Sequence, residues 1–261
     1  MMSRSRKSFF SLLSITCFVL FLSILLAGCG GQKTDTSLSD VMKAGVIKVA
    51  TDDTYPPLEY NDNGTIKGYD IDFMTEVASR LGVKAEFIST KWDGLLTGLS
   101  VKQYDAVISS MNITPDRQKE ANFVEYQQWL QVIVMSPNAE PISTLEGLEG
   151  KRIAVQVATT SEEMAKSVKD AQVTSFESFD TTFMELKNGR CDAIIIDEPV
   201  GMYYQKLEPS AFVITGAAGE KAPVGIALRK DAVELTEAIE EAVREMKEDG
   251  TADRIFEKWF K

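Results

Sequence analysis

Three short segments carry residues whose types and order suit the binding of a small charged molecule. In Ser109-Ser110-Met111-Asn112-Ile113-Thr114-Pro115-Asp116-Arg117, Thr114-Pro115 has the form of an N-cap followed by the first helical residue. A helix N-terminus offers free N–H groups and the positive end of the helix dipole. Arg117 adds a planar fork suited to a carboxylate. The same residues equally describe a capped helix with a surface ion pair. In Ala158-Thr159-Thr160-Ser161-Glu162-Glu163, Thr160 and Glu163 fit a capping box, and the N–H groups beside them suit an anion. In Ile194-Ile195-Ile196-Asp197-Glu198-Pro199, an apolar strand delivers a carboxylate at its end, where open α/β sheets place ligands. There Asp197 either receives an ammonium group or caps the helix ahead of Pro199.

Tyr55 and Trp92 each follow a strand-like run, so each either joins the core or flanks a cleft ligand and stacks on it. Other chemistry is excluded. The chain has no histidine, which removes Ser-His and Cys-His catalysis and the commonest zinc ligand. No glycine motif for phosphate binding is present, and no metal or other cofactor is expected. The net charge of -11 argues against nucleic acid, whose affinity rests on Lys and Arg neutralising phosphates.

The elements that must position these residues follow an alternating pattern. Val46–Ala50, Ala85–Ile88 and Asp105–Ser109 read as strands, with helices over Asp70–Leu81 and Gly94–Lys102. Ile71, Met74, Val77, Ala78 and Leu81 share one helical face, Asp70 is placed to cap the start, and Gly82 to end it. The pattern restarts with strands at Arg152–Val155, Val173–Phe176 and Asp192–Ile196 and helices at Ser161–Lys169 and Thr181–Asn188. Two runs of βα alternation predict two α/β lobes with parallel sheets. The chain crosses between them near Ser136–Glu140 and returns through the strand-like Ile226–Leu228, which places a ligand cleft at a hinge. Leu235, Ala238, Ile239, Ala242, Val243 and Met246 mark a long helix. Gly250 ends it, and Thr251 is placed to cap a last helix through Phe260.

The N-terminus has another character. Arg4, Arg6 and Lys7 precede an apolar run from Phe9 to Leu26, then Leu26-Ala27-Gly28-Cys29. This order describes a secretory signal, and the last four residues resemble a bacterial lipobox. The resemblance implies cleavage before Cys29 and a diacylglycerol thioether on its sulfur. The mature protein is then held at the cell membrane from outside without crossing it. Losing residues 1–28 removes three positive charges and no acidic ones, taking the net charge from -11 to -14. Cys191 becomes the one remaining thiol that is not lipidated, a core-edge residue with no disulfide partner.

Ala50-Thr51-Asp52-Asp53-Thr54-Tyr55-Pro56-Pro57-Leu58-Glu59-Tyr60, Gly68-Tyr69-Asp70-Ile71-Asp72, Trp92-Asp93-Gly94-Leu95, Tyr104 to Met111, Ile113 to Arg117 and Lys258-Trp259-Phe260 occur in order along nearly the whole mature chain. Together they resemble the polar amino-acid family of bacterial extracellular solute-binding proteins, the capture components of ABC importers. The resemblance implies a two-lobed, periplasmic-binding-protein-like α/β fold of type II, with two short hinge strands and the ligand between the lobes. The expected organisation is a signal peptide (1–28), a lipidated tether (29–39), lobe 1 (40–132 and 229–261), hinge strands (133–136 and 224–228) and lobe 2 (137–223).

Carried over position by position, Arg117 clamps the ligand carboxylate with Ser110, Asn112 and the Thr160 N–H. Asp197 accepts from the α-ammonium. Tyr55 and Trp92 sandwich the side chain, with Asp52 and Glu59 near its tip. Asn112 stands where the family usually has Thr or Ser, and Ala158 where Gly is usual. Two aromatic faces and a carboxylate favour a basic amino acid, arginine or lysine, ahead of neutral polar ones such as glutamine, and Gln156 at the rim does not repel a cation. The implied partners are a free amino acid, the permease subunits of an ABC transporter and the membrane through the lipid; the protein itself is expected to be monomeric and not an enzyme. Two rivals share the fold. One is a dehydratase for prephenate- or arogenate-like acids, with Glu59 or Glu198 as general acid. The other is a sensory ligand-binding domain, which would continue into a membrane segment beyond Lys261.

Overall fold

The computed structural model describes residues 35–261. The proposed signal peptide, and Cys29 with most of the tether, lie outside the described residues.

Eight strands form one continuous sheet, in the order Lys84–Ser89, Val46–Thr51, Ala106–Val107, Val213–Arg229, Ala121–Met135, Ala193–Asp197, Arg152–Gln156 and Gln172–Phe176. Strands β1 (Val46–Thr51), β5 (Lys84–Ser89) and β6 (Ala106–Val107) are parallel at one end. Strands β8 (Arg152–Gln156), β9 (Gln172–Phe176) and β10 (Ala193–Asp197) are parallel at the other. These are the two runs of alternation expected from the sequence, and their helices cover the sheet as βαβ units require. A three-stranded antiparallel sheet of β2 (Thr54–Tyr55), β3 (Glu59–Asp62) and β4 (Thr65–Lys67) lies to one side.

The centre differs from expectation. Two long antiparallel strands, β7 (Ala121–Met135) and β11 (Val213–Arg229), join the ends. The crossings expected as short strands at 133–136 and 224–228 are segments of this pair, and Ser136 lies just beyond β7. Three register shifts interrupt β7 and β11, between Ile214 and Gly216, Ala217 and Lys221, and Val224 and Gly225, and such shifts bend and twist a ladder. The tether also stops early. Ser37–Ala44 is already helix (α1), with Ser37 and Val41 buried and Gly45 closing it in the left-handed region at φ 70°.

Helix α2 (Tyr69–Arg80) buries Ile71, Met74, Val77 and Ala78, four of the five residues on its expected face, together with Phe73, while Leu81 falls just past its end and is half-buried. Its cap is Gly68, not Asp70. Gly68 sits at φ 141°, and a Cβ there would lie 2.0 Å from the Leu58 carbonyl oxygen. Only glycine allows the two backbones to approach this closely. The contact lets Tyr69 N and Asp70 N donate to the Pro57 and Leu58 carbonyls, which locks α2 against β3 and buries Asp70 completely. Helices α3 (Leu95–Ser100), α4 (Pro115–Glu120), α5 (Thr160–Ser167), α6 (Phe179–Lys187) and α7 (Glu198–Leu207) follow in order.

The long C-terminal helix α8 (Val233–Glu248) buries Leu235, Ile239, Ala242, Val243 and Met246. Gly250, rather than Thr251, caps α9 (Thr251–Phe260). Helix α9 returns to α2: Trp259 Nε1 and Lys258 Nζ each donate to Asp72 Oδ2 at 2.6 Å, and Arg80 pairs with Asp249 at 2.7 Å. Phe256 and Phe260 pack on Tyr69 and Trp129. Among the described residues, no helix is long and apolar enough to cross a membrane.

Candidate functional site

A cavity opens between the two ends of the sheet. The segments just past β1 and β6, the small sheet and the turn at Trp92 face the ends of β8 and β10 and the start of α5. Eight of the nine residues picked out by sequence line it: Asp52, Tyr55, Glu59, Trp92, Ser110, Asn112, Thr160 and Asp197. Arg117 lies against the wall. Its Cζ stands 5.2 Å from the centroid of the Trp92 ring, and it donates to the Asn112 carbonyl at 2.9 Å and the Ala158 carbonyl at 3.1 Å.

Local structure explains these positions. Thr114 caps α4 by accepting from Arg117 N at 3.2 Å, with Pro115 next, as the sequence predicts. The cap on α5 is displaced by one residue. Thr159, not Thr160, accepts from Glu162 N, and the Glu162 carboxylate reaches back to Ala158 N at 2.8 Å. Thr160 is thereby freed to face the cavity. Ala158, where glycine is usual in the family the sequence resembles, takes φ 58°, a left-handed conformation costly for a residue with a Cβ. Asp197 precedes α7 without capping it through its side chain.

Direct bonds join the two faces. Tyr55 Oη donates to Asp197 Oδ2 at 2.9 Å, and Gln156 Nε2 to Asp52 Oδ2 at 2.7 Å. Thr160 Oγ1 donates to Asn112 Oδ1 at 2.7 Å, and Trp92 Nε1 to the Ala158 carbonyl at 3.0 Å. At the rim Lys91 pairs with Glu177. Three buried polar atoms of lining residues have no protein partner, Asn112 Nδ2, Gln131 Oε1 and Asp197 Oδ1, while the Glu59 carboxyl bonds to that of Asp70. Buried polar groups are normally paired, so a cavity edged by two free acceptors and a free donor is built for a polar occupant.

The field inside is anionic. Burial raises the Asp197 pKa to about 7, against the opposing bond from Tyr55 and the Gln131 amide nearby. Burial also raises Asp52 and pushes Glu59 well above the usual carboxylate range, the latter helped by the charge of Asp70 directly behind it. Asp70 rises to about 6 through burial, although Tyr126 and Ser110 both donate to its Oδ2 at 2.7 Å. Burial lowers the pKa of the Arg117 guanidinium, which stays charged nonetheless. A cation would relieve this crowd of acids, while Arg117 on the wall suits an anion.

The sequence did not single out Gln131, Ser109, Thr159, Ser161 or Phe179, which also line the cavity. Phe179 stacks near Tyr55 with ring centroids 4.5 Å apart. Gln131 had one visible signal, a lone amide ahead of the apolar run Val132–Met135. Glu198, considered as a general acid, does not line the cavity. Cys191 is buried and its thiol is pushed up to about 12 by that burial, as befits a core residue.

The bacterial extracellular solute-binding proteins, family 3, match the chain over residues 47–261. The L-cystine-binding protein TcyJ of Escherichia coli (strain K12) is 34% identical over 227 residues, covering 85% of each chain. Among solved structures, an ancestral arginine-binding protein bound to arginine is 40% identical with a TM-score of 0.80, covering 83% of this chain and 99% of that one. The ancestral amino acid-binding protein AncCDT-1, a precursor of cyclohexadienyl dehydratase, is 40% identical with a TM-score of 0.81, covering 86% and 100%. With 215 of its residues spanned by the family and its two-lobed architecture shared with these structures, the chain belongs to the bacterial extracellular solute-binding proteins of family 3.

Proposed function

We propose that this protein captures a free amino acid outside the cytoplasm and delivers it to the membrane subunits of an ABC importer. One observation carries the reading. A guanidinium, Arg117, stacks on Trp92 of the cavity lining, and a buried carboxylate, Asp197, lines the same cavity with an unpartnered oxygen. A zwitterion needs a cation at one end and an anion at the other. Arg117, Asn112, Ser110 and Thr160 take the carboxylate, Asp197 takes the ammonium, and Tyr55 and Trp92 flank the side chain. Asp52 and Glu59 then favour a basic side chain, arginine or lysine. L-cystine also brings a second ammonium and belongs in the same test.

Capture proceeds by closure of lobe 2 (137–223) on lobe 1 (40–132 and 229–261), flexing within β7 and β11. No bond of the ligand changes. Cys29 carries the lipid that holds the protein at the membrane. Detergent partitioning of the full chain against Cys29→Ser tests that anchor, and loss of membrane association in the variant is expected.

The test of function is thermal unfolding of protein stripped of ligand by unfolding and refolding, against the common amino acids and L-cystine. A ligand specific to the folded state stabilises it by about 2.7 kcal/mol at a hundredfold excess over Kd, a shift of several degrees at this size. A shift with arginine or lysine supports the whole reading. A shift with glutamine alone retains amino-acid capture and removes the basic preference. No shift with any of them refutes amino-acid capture. The kinship to a dehydratase precursor and the raised pKa of Glu59 justify one enzymatic control, turnover of prephenate or arogenate, and none is expected.

A further inference from the structure

Gln131 has no role in the reading above, yet it sits at the centre of the site. It is the cross-strand partner of Asp197 in the β7–β10 ladder, so both side chains leave the sheet on the same face, one strand spacing apart. It is 3% exposed and lines the cavity. Its Nε2 donates to Thr160 Oγ1 at 2.9 Å and to Ser161 Oγ at 3.2 Å. The Thr160 hydroxyl spends its own proton on Asn112 Oδ1 and must accept from Gln131. That relay turns the amide so that Oε1 is the atom left over, and Oε1 has no protein partner. The unpartnered oxygen of Asp197 is Oδ1. Two neighbouring residues thus each keep one buried acceptor free.

We propose that Gln131 Oε1 is a second acceptor for the ligand's α-ammonium, acting beside Asp197 Oδ1 and selecting a primary amine over its N-methylated form. This rests on the amino-acid reading above. A primary ammonium carries three N–H donors, more than Asp197 Oδ1 alone can satisfy. A buried acceptor left unpaired is unfavourable by more than a typical hydrogen bond contributes, so an occupant that satisfies both acceptors is preferred. Nα-methylation leaves two N–H groups, so both acceptors are met only in the one orientation about the Cα–N bond that turns the methyl group away from both, where it needs room that a hydrogen does not. Through Thr160, the same amide ties the ammonium end of the site to the residues expected at the carboxylate end.

The test is calorimetric titration of refolded protein with L-arginine, L-lysine, L-glutamine and L-cystine, then with the Nα-methyl derivative of whichever binds tightest. Gln131→Met removes all polar atoms at similar volume. Gln131→Glu keeps two acceptors and removes both donors to Thr160 and Ser161. We expect Gln131→Met to weaken the primary amine about tenfold and to shrink the preference over the Nα-methyl form at least fivefold, while Gln131→Glu retains that preference. Equal affinities in wild type and Gln131→Met overturn the proposal. So does an equal loss for both amines, which would mark a purely structural role through Thr160 and Ser161. Failure of the wild type to bind any of the four overturns instead the amino-acid reading beneath it.

Discussion

Asp197→Asn removes one charge from a cavity that also holds Asp52 and Glu59, and leaves the side chain's size unchanged. The free carboxyl titrates at 3.8 and the buried one at about 7. Folding therefore favours the protonated form. The favourable contribution is complete below pH 4 and is lost as pH rises through 7. Each tenfold in proton affinity is about 1.4 kcal/mol, so at pH 8 the ionised Asp197 costs the empty protein roughly 4 kcal/mol. Asparagine avoids that cost but turns an NH₂ toward the place of the unpartnered Oδ1, which costs about 1–3 kcal/mol. The net expectation at pH 8 is a gain of about 1–3 kcal/mol, or roughly 3–10 °C in Tm. At pH 4, where the wild-type carboxyl is already neutral, only the misplaced NH₂ counts and the variant is expected to be less stable by about 1–3 kcal/mol. Ligand affinity moves the other way, with Kd rising about thirtyfold or more as a charge-assisted bond is lost. Scanning calorimetry of refolded, ligand-free protein at both pH values checks the first part and titration the second. A variant less stable at pH 8, or equally stabilised at pH 4 and 8, refutes the burial argument. Unchanged affinity refutes the assignment of Asp197.

Other substitutions probe the remaining parts. Arg117→Lys keeps the charge but loses the fork and the stacking on Trp92, and should raise Kd roughly tenfold or more by titration. Asp52→Asn should weaken a basic amino acid by several-fold and glutamine little; equal effects on both would remove Asp52 from the side-chain end. Ala158→Gly relieves a left-handed residue and should raise stability by about 0.5–1 kcal/mol in urea unfolding. Cys191 should resist an aromatic disulfide reagent in the folded protein and react fully in denaturant, since its thiol is buried and its pKa raised.

What the sequence revealed and what it hid divide along physical lines. Helix α2 was legible because five apolar residues share one face at helical spacing. Strands β8 and β10 were legible as short apolar runs, since both their faces are covered, whereas the edge strands β5 and β9 showed as alternation. Strand β7 was not, because Glu125, Gln127 and Gln128 break any alternation in its first half, while its second half is buried residue after residue. Its identity as a strand comes from pairing with β11, some ninety residues away, which no local pattern encodes. Caps failed by one or two residues wherever neighbouring side chains competed for the role. Thr159 and Thr160 look alike in sequence, and the carboxylate of Glu162 rather than Glu163 decides between them. Asp70 has the chemistry of a cap, yet Gly68 takes that place because only a residue without Cβ fits against Leu58. Gln131 stood out only faintly for a similar reason, since its importance lies in being opposite Asp197.

The packing of α9 on α2 has a consequence for how the chain comes to be folded. Asp72 and Arg80 find their partners 186 and 169 residues downstream, and β11, which pairs with β6, also arrives late in the sequence. As the chain emerges N-terminus first, α2 and β1 appear long before the helices that cover them. The first half of the sheet must wait with Tyr69, Phe73 and Trp129 uncovered, whereas β8, β9 and β10 lie close together in sequence and are free to assemble as soon as they emerge. The part of the molecule made first is therefore the part finished last.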